Sequence, residues 1–121
     1  TNVLFFPECT STDGSRIMPF RQAYFQAPLN AGSSVIPVTI QYTKINSQDI
    51  SPLNRDKVCW YGQVKFAEHL SGVLKQRKIE AKVTIHPKIE TSVYDPAQAN
   101  SRKKLSETAF RTIAKDFTLI K

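Results

Sequence analysis

Apolar residues change their spacing several times along this chain, and that alternation restricts its fold more than any other feature. Val35-Ile36-Pro37-Val38-Thr39-Ile40-Gln41-Tyr42 is β-branched and aromatic, the composition of a strand. Its internal Pro37 has no N–H for a ladder, so a sheet edge or a bulge is expected there. Between Gln63 and Arg77 the apolar residues Phe66, Leu70, Val73 and Leu74 fall on one face at helical spacing, and Lys75-Gln76-Arg77-Lys78 crowds positive charge where the helix dipole favours it. Ile79 to Ile85 alternates apolar and polar residues, as a half-exposed strand does. Asp95-Pro96 then reads as a helix start, cap followed by proline, and Leu105, Ala109, Ile113 and Phe117 make one stripe of a helix reaching about Leu119.

The N-terminal third is more broken. Asn2 to Phe6 is a short apolar run closed by Pro7 and reads as a buried strand, one that needs neighbours on both faces. Ser11-Thr12-Asp13-Gly14-Ser15 is turn chemistry. Phe20 to Phe25 suits a short helix after Pro19, ended or kinked by Pro28, Asn30 and Gly32, and residues 43 to 59 read as a polar loop. Strand, helix, strand, helix, strand, helix in that order predicts a layered α/β domain with a partly parallel sheet flanked by helices. At 121 residues there is room for one domain.

Seventeen Lys and Arg against ten Asp and Glu give a charge of +7, which favours acidic partners. Nucleic acid is not expected, because the aromatics are not interleaved with the basic runs as a stacking platform requires. An anionic membrane surface or an acidic carrier protein suits Lys75, Arg77, Lys78, Arg102, Lys103, Lys104, Arg111 and Lys115, although a solvated helix face accounts for them equally. Cys9 and Cys59 are too few for a disulfide scaffold and read as reduced thiols of a cytosol-facing protein, and no Cys/His cluster has zinc spacing. No apolar run reaches the roughly 18 residues of a membrane span, so a soluble or peripheral chain is expected. The chain opens at Thr1, its one methionine is Met18, and it is in an apolar run by Phe5, so a piece of a longer protein is expected.

The densest local pattern is Phe5-Phe6-Pro7-Glu8-Cys9-Thr10-Ser11-Thr12-Asp13-Gly14. A strand ending in a carboxylate and small hydroxyl residues puts polar groups at the carboxyl edge of a sheet, where open α/β folds bind ligands, although Glu8 also suits a plain turn carboxylate. Cys9 has no recognisable base, and adjacent Glu8 opposes a thiolate. Ser11 and Thr12 lack a base as well, and neither a G-x-S-x-G elbow nor a glycine-rich phosphate loop occurs. Trp60-Tyr61, followed by Gly62, reads either as packing or as an interfacial or acyl-channel element.

These residues resemble the glycerolipid acyltransferase family, whose members transfer a fatty acyl group to the free hydroxyl of a lysophospholipid. The family's third motif, F-P-E-G-T-R-S, is matched by Phe6-Pro7-Glu8-Cys9-Thr10-Ser11, and Asp13-Gly14 and Pro19-Phe20 follow. Its fourth motif, an apolar strand with V-P-V, is matched by Ile36-Pro37-Val38-Thr39-Ile40. Trp60-Tyr61-Gly62, Phe66, His69-Leu70 and Ser101-Arg102-Lys103 look like the tail of the branch that includes lyso-ornithine lipid and lysophosphatidate acyltransferases. The resemblance implies a lysolipid acceptor held near Pro7, Glu8, Cys9, Thr10 and Ser11, with Pro37 and its strand shaping the pocket. It implies acyl carrier protein or coenzyme A thioester as acyl donor, no metal or other cofactor, and a site of work at the cytoplasmic face of the membrane.

Three departures qualify what is carried over. Cys9 replaces a glycine at a position tolerant of positive φ. Ser11 replaces an arginine that the family associates with gripping an acceptor phosphate, which leaves lyso-ornithine lipid or another acceptor open, with Arg16 or Arg21 as candidates to compensate. The family's H-x-x-x-x-D, histidine as general base with aspartate fixing its tautomer, is missing. His69 and His86 are the only histidines, Leu74 and Thr91 stand where the aspartate would, and both histidines read as structural. The resemblance therefore implies that residues 1–121 are the C-terminal part of a single acyltransferase domain. No catalytic residue is expected in this chain and no activity from it alone, with self-association through exposed strands as a consequence. The alternative is a stand-alone basic module that binds anionic lipid surface or an acidic protein.

Overall fold

Aromatic side chains organise the first of two units into which the chain divides in a computed structural model describing all residues, Thr1–Lys121. In chain order the elements are α1 (Gln26–Ala31), β1 (Val38–Ile45), β2 (Gln48–Asp49), α2 (Phe66–Leu74), β3 (Ile79–Ile85) and α3 (Ala99–Asp116). Single 3-10 turns lie at Gln22–Phe25, Arg55–Lys57 and Thr91–Val93.

The first unit comprises Thr1–Cys9, Pro19–Val38 and Ile85–Asp116. Phe25, Leu29, Leu105 and Ala109 form its buried core, with Phe5, Phe20, Val35, Ile89 and Tyr94 packed around them. Phe25 meets Phe5 edge-on at 5.5 Å and lies parallel to Phe20 at 6.3 Å, and Phe20 meets Phe110 edge-on at 5.2 Å. Offset and edge contacts of this kind add to the area the rings bury. Leu105 and Ala109, adjacent positions of the α3 stripe, face this core as their spacing predicted. The helix begins at Ala99 rather than at Pro96, because Asp95 Oδ1 accepts from the Ala97 N–H at 2.9 Å and makes a separate turn first. Pro28 does not end α1. It occupies the third helical position, within the first turn, where an N–H is not required; Gly32, at φ 61°, ends the helix instead.

Asn2–Phe6 is not a strand. Val3, Leu4 and Phe6 are exposed, only Phe5 is packed, and the segment joins no sheet. A run apolar on both faces becomes a strand only where neighbours pair with it, and none lies alongside.

The second unit comprises Thr10–Met18, Thr39–Thr84 and Phe117–Lys121, and holds nearly all of a three-stranded sheet of order β2-β1-β3. The expected partly parallel arrangement is absent from these strands: β2 pairs antiparallel with β1, and the backbone bonds Asn46 to Lys78 and His86 to Pro37 bracket an antiparallel β1 and β3. The turn between β1 and β2 shows why. Asn46 and Ser47 both have positive φ, 51° and 67°, the geometry of a two-residue hairpin turn, so Thr43, Lys44 and Ile45 belong to the strand instead of the expected loop. Pro37 is placed one residue before β1, where its carbonyl accepts from the His86 N–H at 3.0 Å and no donor is missed. β1 is therefore the central strand, and proline marks its beginning rather than a sheet edge.

Thr39 and Ile45 are buried on one face of β1, while Ile40 and Tyr42 on the other are 48% and 37% exposed. On β3, Val83 is 59% exposed. The helix α2 is shorter than Gln63–Arg77 and has no buried residue. No helix of the structure is long and apolar enough to cross a membrane.

Candidate functional site

The motif residues divide between the two units. Pro7 and Glu8 form a tight turn in the first, closed by the Cys9 N–H donating to the Phe6 carbonyl at 3.1 Å. The Pro7 carbonyl accepts from the Arg21 N–H at 2.8 Å and, more weakly, from the Cys9 thiol at 3.7 Å. Cys9 has φ 56°, so the position that the family motif fills with glycine, one tolerant of positive φ, is left-handed here. Glu8 is half-buried at this turn. A hydrogen bond to Cys9, with an electrostatic contribution from the same side chain, pushes the Tyr24 hydroxyl up from its ordinary value.

From Thr10 onward the chain builds a cavity of about 260 Å³ within the second unit. Thr10, Ser11, Thr12 and Asp13 line one stretch, Arg16 and Met18 another, and Tyr61-Gly62 a third. A dense set of short-range bonds fixes the loop. Thr12 Oγ1 accepts from the Gly14 N–H at 3.2 Å and donates to the Arg16 carbonyl, and Asp13 Oδ1 accepts from both the N–H and the hydroxyl of Ser15, at 3.0 and 2.6 Å. Asp13 Oδ2 meets Arg55 Nη2 at 2.9 Å, and Arg55 Nη1 donates to the Ile120 carbonyl at 3.3 Å. The Ser15 bonds chiefly, with help from the Arg55 charge, hold the Asp13 carboxyl below its ordinary value. Ile120 returns the contact through its N–H to the Gly14 carbonyl at 2.9 Å. Tyr61 donates to Asp56 Oδ1 at 2.6 Å, which raises the Tyr61 hydroxyl and keeps it protonated.

Ser11 is an exposed hydroxyl and Arg16 an exposed guanidinium, groups that hold a polar or anionic head group, while Asp13 is engaged with Ser15 and Arg55. No histidine or thiol lines it. Cys59, half-buried, has its thiol pushed up by burial against the opposing pull of Arg55, so it is a poor nucleophile at neutral pH. The larger cavity, about 600 Å³ in the first unit, holds none of the motif residues. There His86 Nε2 lies 3.7 Å from Asp116 Oδ2, too far for a hydrogen bond, and the Thr108 and Thr112 hydroxyls donate to carbonyls of their own helix.

Of the residues expected to hold the acceptor, the cavity brings together Thr10 and Ser11, beside Tyr61-Gly62 of the Trp60-Tyr61-Gly62 segment; Pro7, Glu8, Cys9 and Pro37 belong to the first unit and do not line it. Arg16, a candidate to compensate for the arginine replaced by Ser11, lines the same cavity, and Arg21 does not. Arg55 was not singled out, because its stretch reads as a featureless polar loop and nothing in it marks a partner as distant in sequence as Asp13.

Comparison with known proteins finds relatives of this sequence. Over 110 residues, 87% of this chain, it is 34% identical to a lyso-ornithine lipid O-acyltransferase of Rhodobacter capsulatus, covering 36% of that protein. It is 30% identical to the enzyme of the same name from Rhizobium meliloti over 93% of this chain and 39% of the relative. A 1-acyl-sn-glycerol-3-phosphate acyltransferase of Neisseria gonorrhoeae is 42% identical over 41 residues, 34% of this chain and 16% of that protein. The chain thus spans between a third and two fifths of the lyso-ornithine lipid enzymes it matches. No family model matches it, and no solved structure matches significantly. In sequence, the chain is a homologue of part of the glycerolipid acyltransferases, the family its motifs resemble.

Proposed function

We propose that the chain is the C-terminal part of an acyltransferase domain, and that the complete protein moves a fatty acyl group from a thioester to the hydroxyl of a lysolipid. One observation carries this: the similarity runs through 87% of the chain but only 36% of the relative, while no H-x-x-x-x-D occurs within it. In the reaction the acceptor oxygen bonds to the thioester carbonyl carbon, the C–S bond breaks, and the acceptor's proton leaves with the thiol. The base belongs to the part of the domain outside these residues, so the chain alone is inactive. The Thr10–Arg16 cavity receives the acceptor head group, with Ser11 where the family motif has its arginine and Arg16 compensating for it. Glu8 holds the preceding turn, and Pro37 sets the start of β1.

The apolar surface left open on β1 and β3, Ile40, Tyr42 and Val83, supports an incomplete domain, since a sheet face of this composition is ordinarily covered. In the complete domain further strands from outside these residues make the sheet partly parallel. Acyl carrier protein or coenzyme A supplies the thioester, and the reaction runs at the cytoplasmic face of the membrane. The test is acyl transfer by the complete protein to lyso-ornithine lipid and to lysophosphatidate, with Glu8→Gln and Arg16→Ala. Loss of transfer in Arg16→Ala with a raised KM for acceptor is expected; full activity in both variants would remove this region from the site.

A further inference from the structure

The apolar stripe that marks α2 in the sequence is not buried: Phe66 is 57% exposed, Leu70 41% and Leu74 76%. Spaced four apart, they share a face, and Val64, 50% exposed, precedes them. Trp60 extends the surface. Its ring meets Phe66 edge-on at 5.2 Å, its indole N–H donates to the Val64 carbonyl at 2.7 Å, and the side chain stays part-exposed. Positive charge flanks the stripe at both ends, Lys65 before Phe66 and Lys75, Arg77 and Lys78 beyond Leu74; Glu68 is the one acidic residue between Trp60 and Lys78.

We infer that α2 and Trp60 dock the chain on an anionic bilayer, lying in the plane of the interface. A short helix with an apolar face and basic flanks buries that face at the head-group boundary while its cations meet lipid phosphates. An indole whose N–H is satisfied and whose ring is open suits the same depth. A second copy fits this surface less well, since its own basic flanks would face these across a contact between two chains of charge +7. The inference shares with the proposed function only the lipid surface as partner, and its test involves no acyl transfer, so either can fail without the other.

Trp60 is the only tryptophan, so its fluorescence reports this surface alone. The 121-residue chain is mixed with phosphatidylcholine vesicles with and without phosphatidylglycerol, some lipids carrying bromine on the acyl chains. With phosphatidylglycerol, Trp60 emission shifts to the blue and is quenched by the brominated lipids, and added salt weakens the effect. Leu70→Glu is expected to weaken vesicle binding about tenfold or more, and Lys75→Gln with Arg77→Gln, which keeps the stripe intact, to weaken it by a lesser factor. Circular dichroism matching the unaltered chain establishes that each variant is folded. Binding that Leu70→Glu leaves unchanged, or absence of quenching in bound chain, overturns the inference. So does a concentration-dependent dimer abolished by Leu70→Glu without vesicle binding, which would assign the face to a second copy.

Discussion

Cys9 shows how a single residue can carry both a family signature and a cost. Its φ of 56° is one that L-residues adopt at about 1–2 kcal/mol, whereas glycine adopts it freely but surrenders about 0.5–1 kcal/mol more unfolded-chain entropy. Cys9→Gly is therefore expected to stabilise the protein by roughly 0.5–1 kcal/mol, read as a higher urea midpoint. At Gly14 the balance runs the other way. Its φ is 78°, and a Cβ there would lie 2.5 Å from Ile120 Cδ1, so Gly14→Ala is expected to cost about 1–3 kcal/mol in the same measurement. Asp13 ties this turn to pH. Its folded carboxyl lies below the ordinary 3.8, so its contribution is present above that value and is lost as pH falls through the lower, folded one. Urea midpoints are expected to fall in acid below about pH 4 and to fall less steeply in Asp13→Asn, which begins lower at neutral pH. That the position of Cys9 tolerates a positive φ was legible from the motif. The Asp13–Arg55 pair was not, because ion pairing between distant loops leaves no local pattern.

Among the elements, those with strong periodicity were legible and those defined by turns or by partners were not. α3 and β3 are a helix and a strand as stripe and alternation predicted, but α3 ends at Asp116, before Phe117 and Leu119, and the apolar residues Val83 and Ile85 of β3 are exposed, so alternation marked the strand without a buried face. The β1–β2 hairpin was missed because its turn is Asn46-Ser47 rather than the commoner Asn-Gly, so Thr43 to Asp49 lacked a marker. Asn46 explains how this turn is held. Its Oδ1 accepts from the Arg77 and Lys78 N–H groups at 2.9 and 3.1 Å, and its Nδ2 donates to Gln76 Oε1 at 3.0 Å, tying the hairpin to the start of β3. Asn46→Ala removes these bonds and a side chain tolerant of positive φ, and is expected to cost about 2–3 kcal/mol in a urea titration. Asn46→Gly keeps the backbone freedom and loses the bonds alone, so it is expected to be the milder change. Asn2–Phe6 and α2 expose a different limit: composition shows that a surface wants covering, while what covers it lies elsewhere.

At the scale of the molecule, these open faces and the partial homology point the same way. Exposed Ile40, Tyr42 and Val83 and an unpaired Asn2–Phe6 support the proposed reading of an incomplete domain, as does a match to only a third to two fifths of the relatives. The family was legible from Pro7-Glu8-Cys9-Thr10 and Ile36-Pro37-Val38, and the relatives named for lyso-ornithine lipid agree with it. The candidate site was only half legible, since Thr10 and Ser11 share a cavity with Arg16 and Tyr61 that spacing alone does not assemble. The most direct measurement is to read the coding DNA immediately upstream of the Thr1 codon. An in-frame stretch encoding H-x-x-x-x-D is the expected result and would supply the missing base. A start codon directly before Thr1, with no such partner, would contradict catalysis involving this chain.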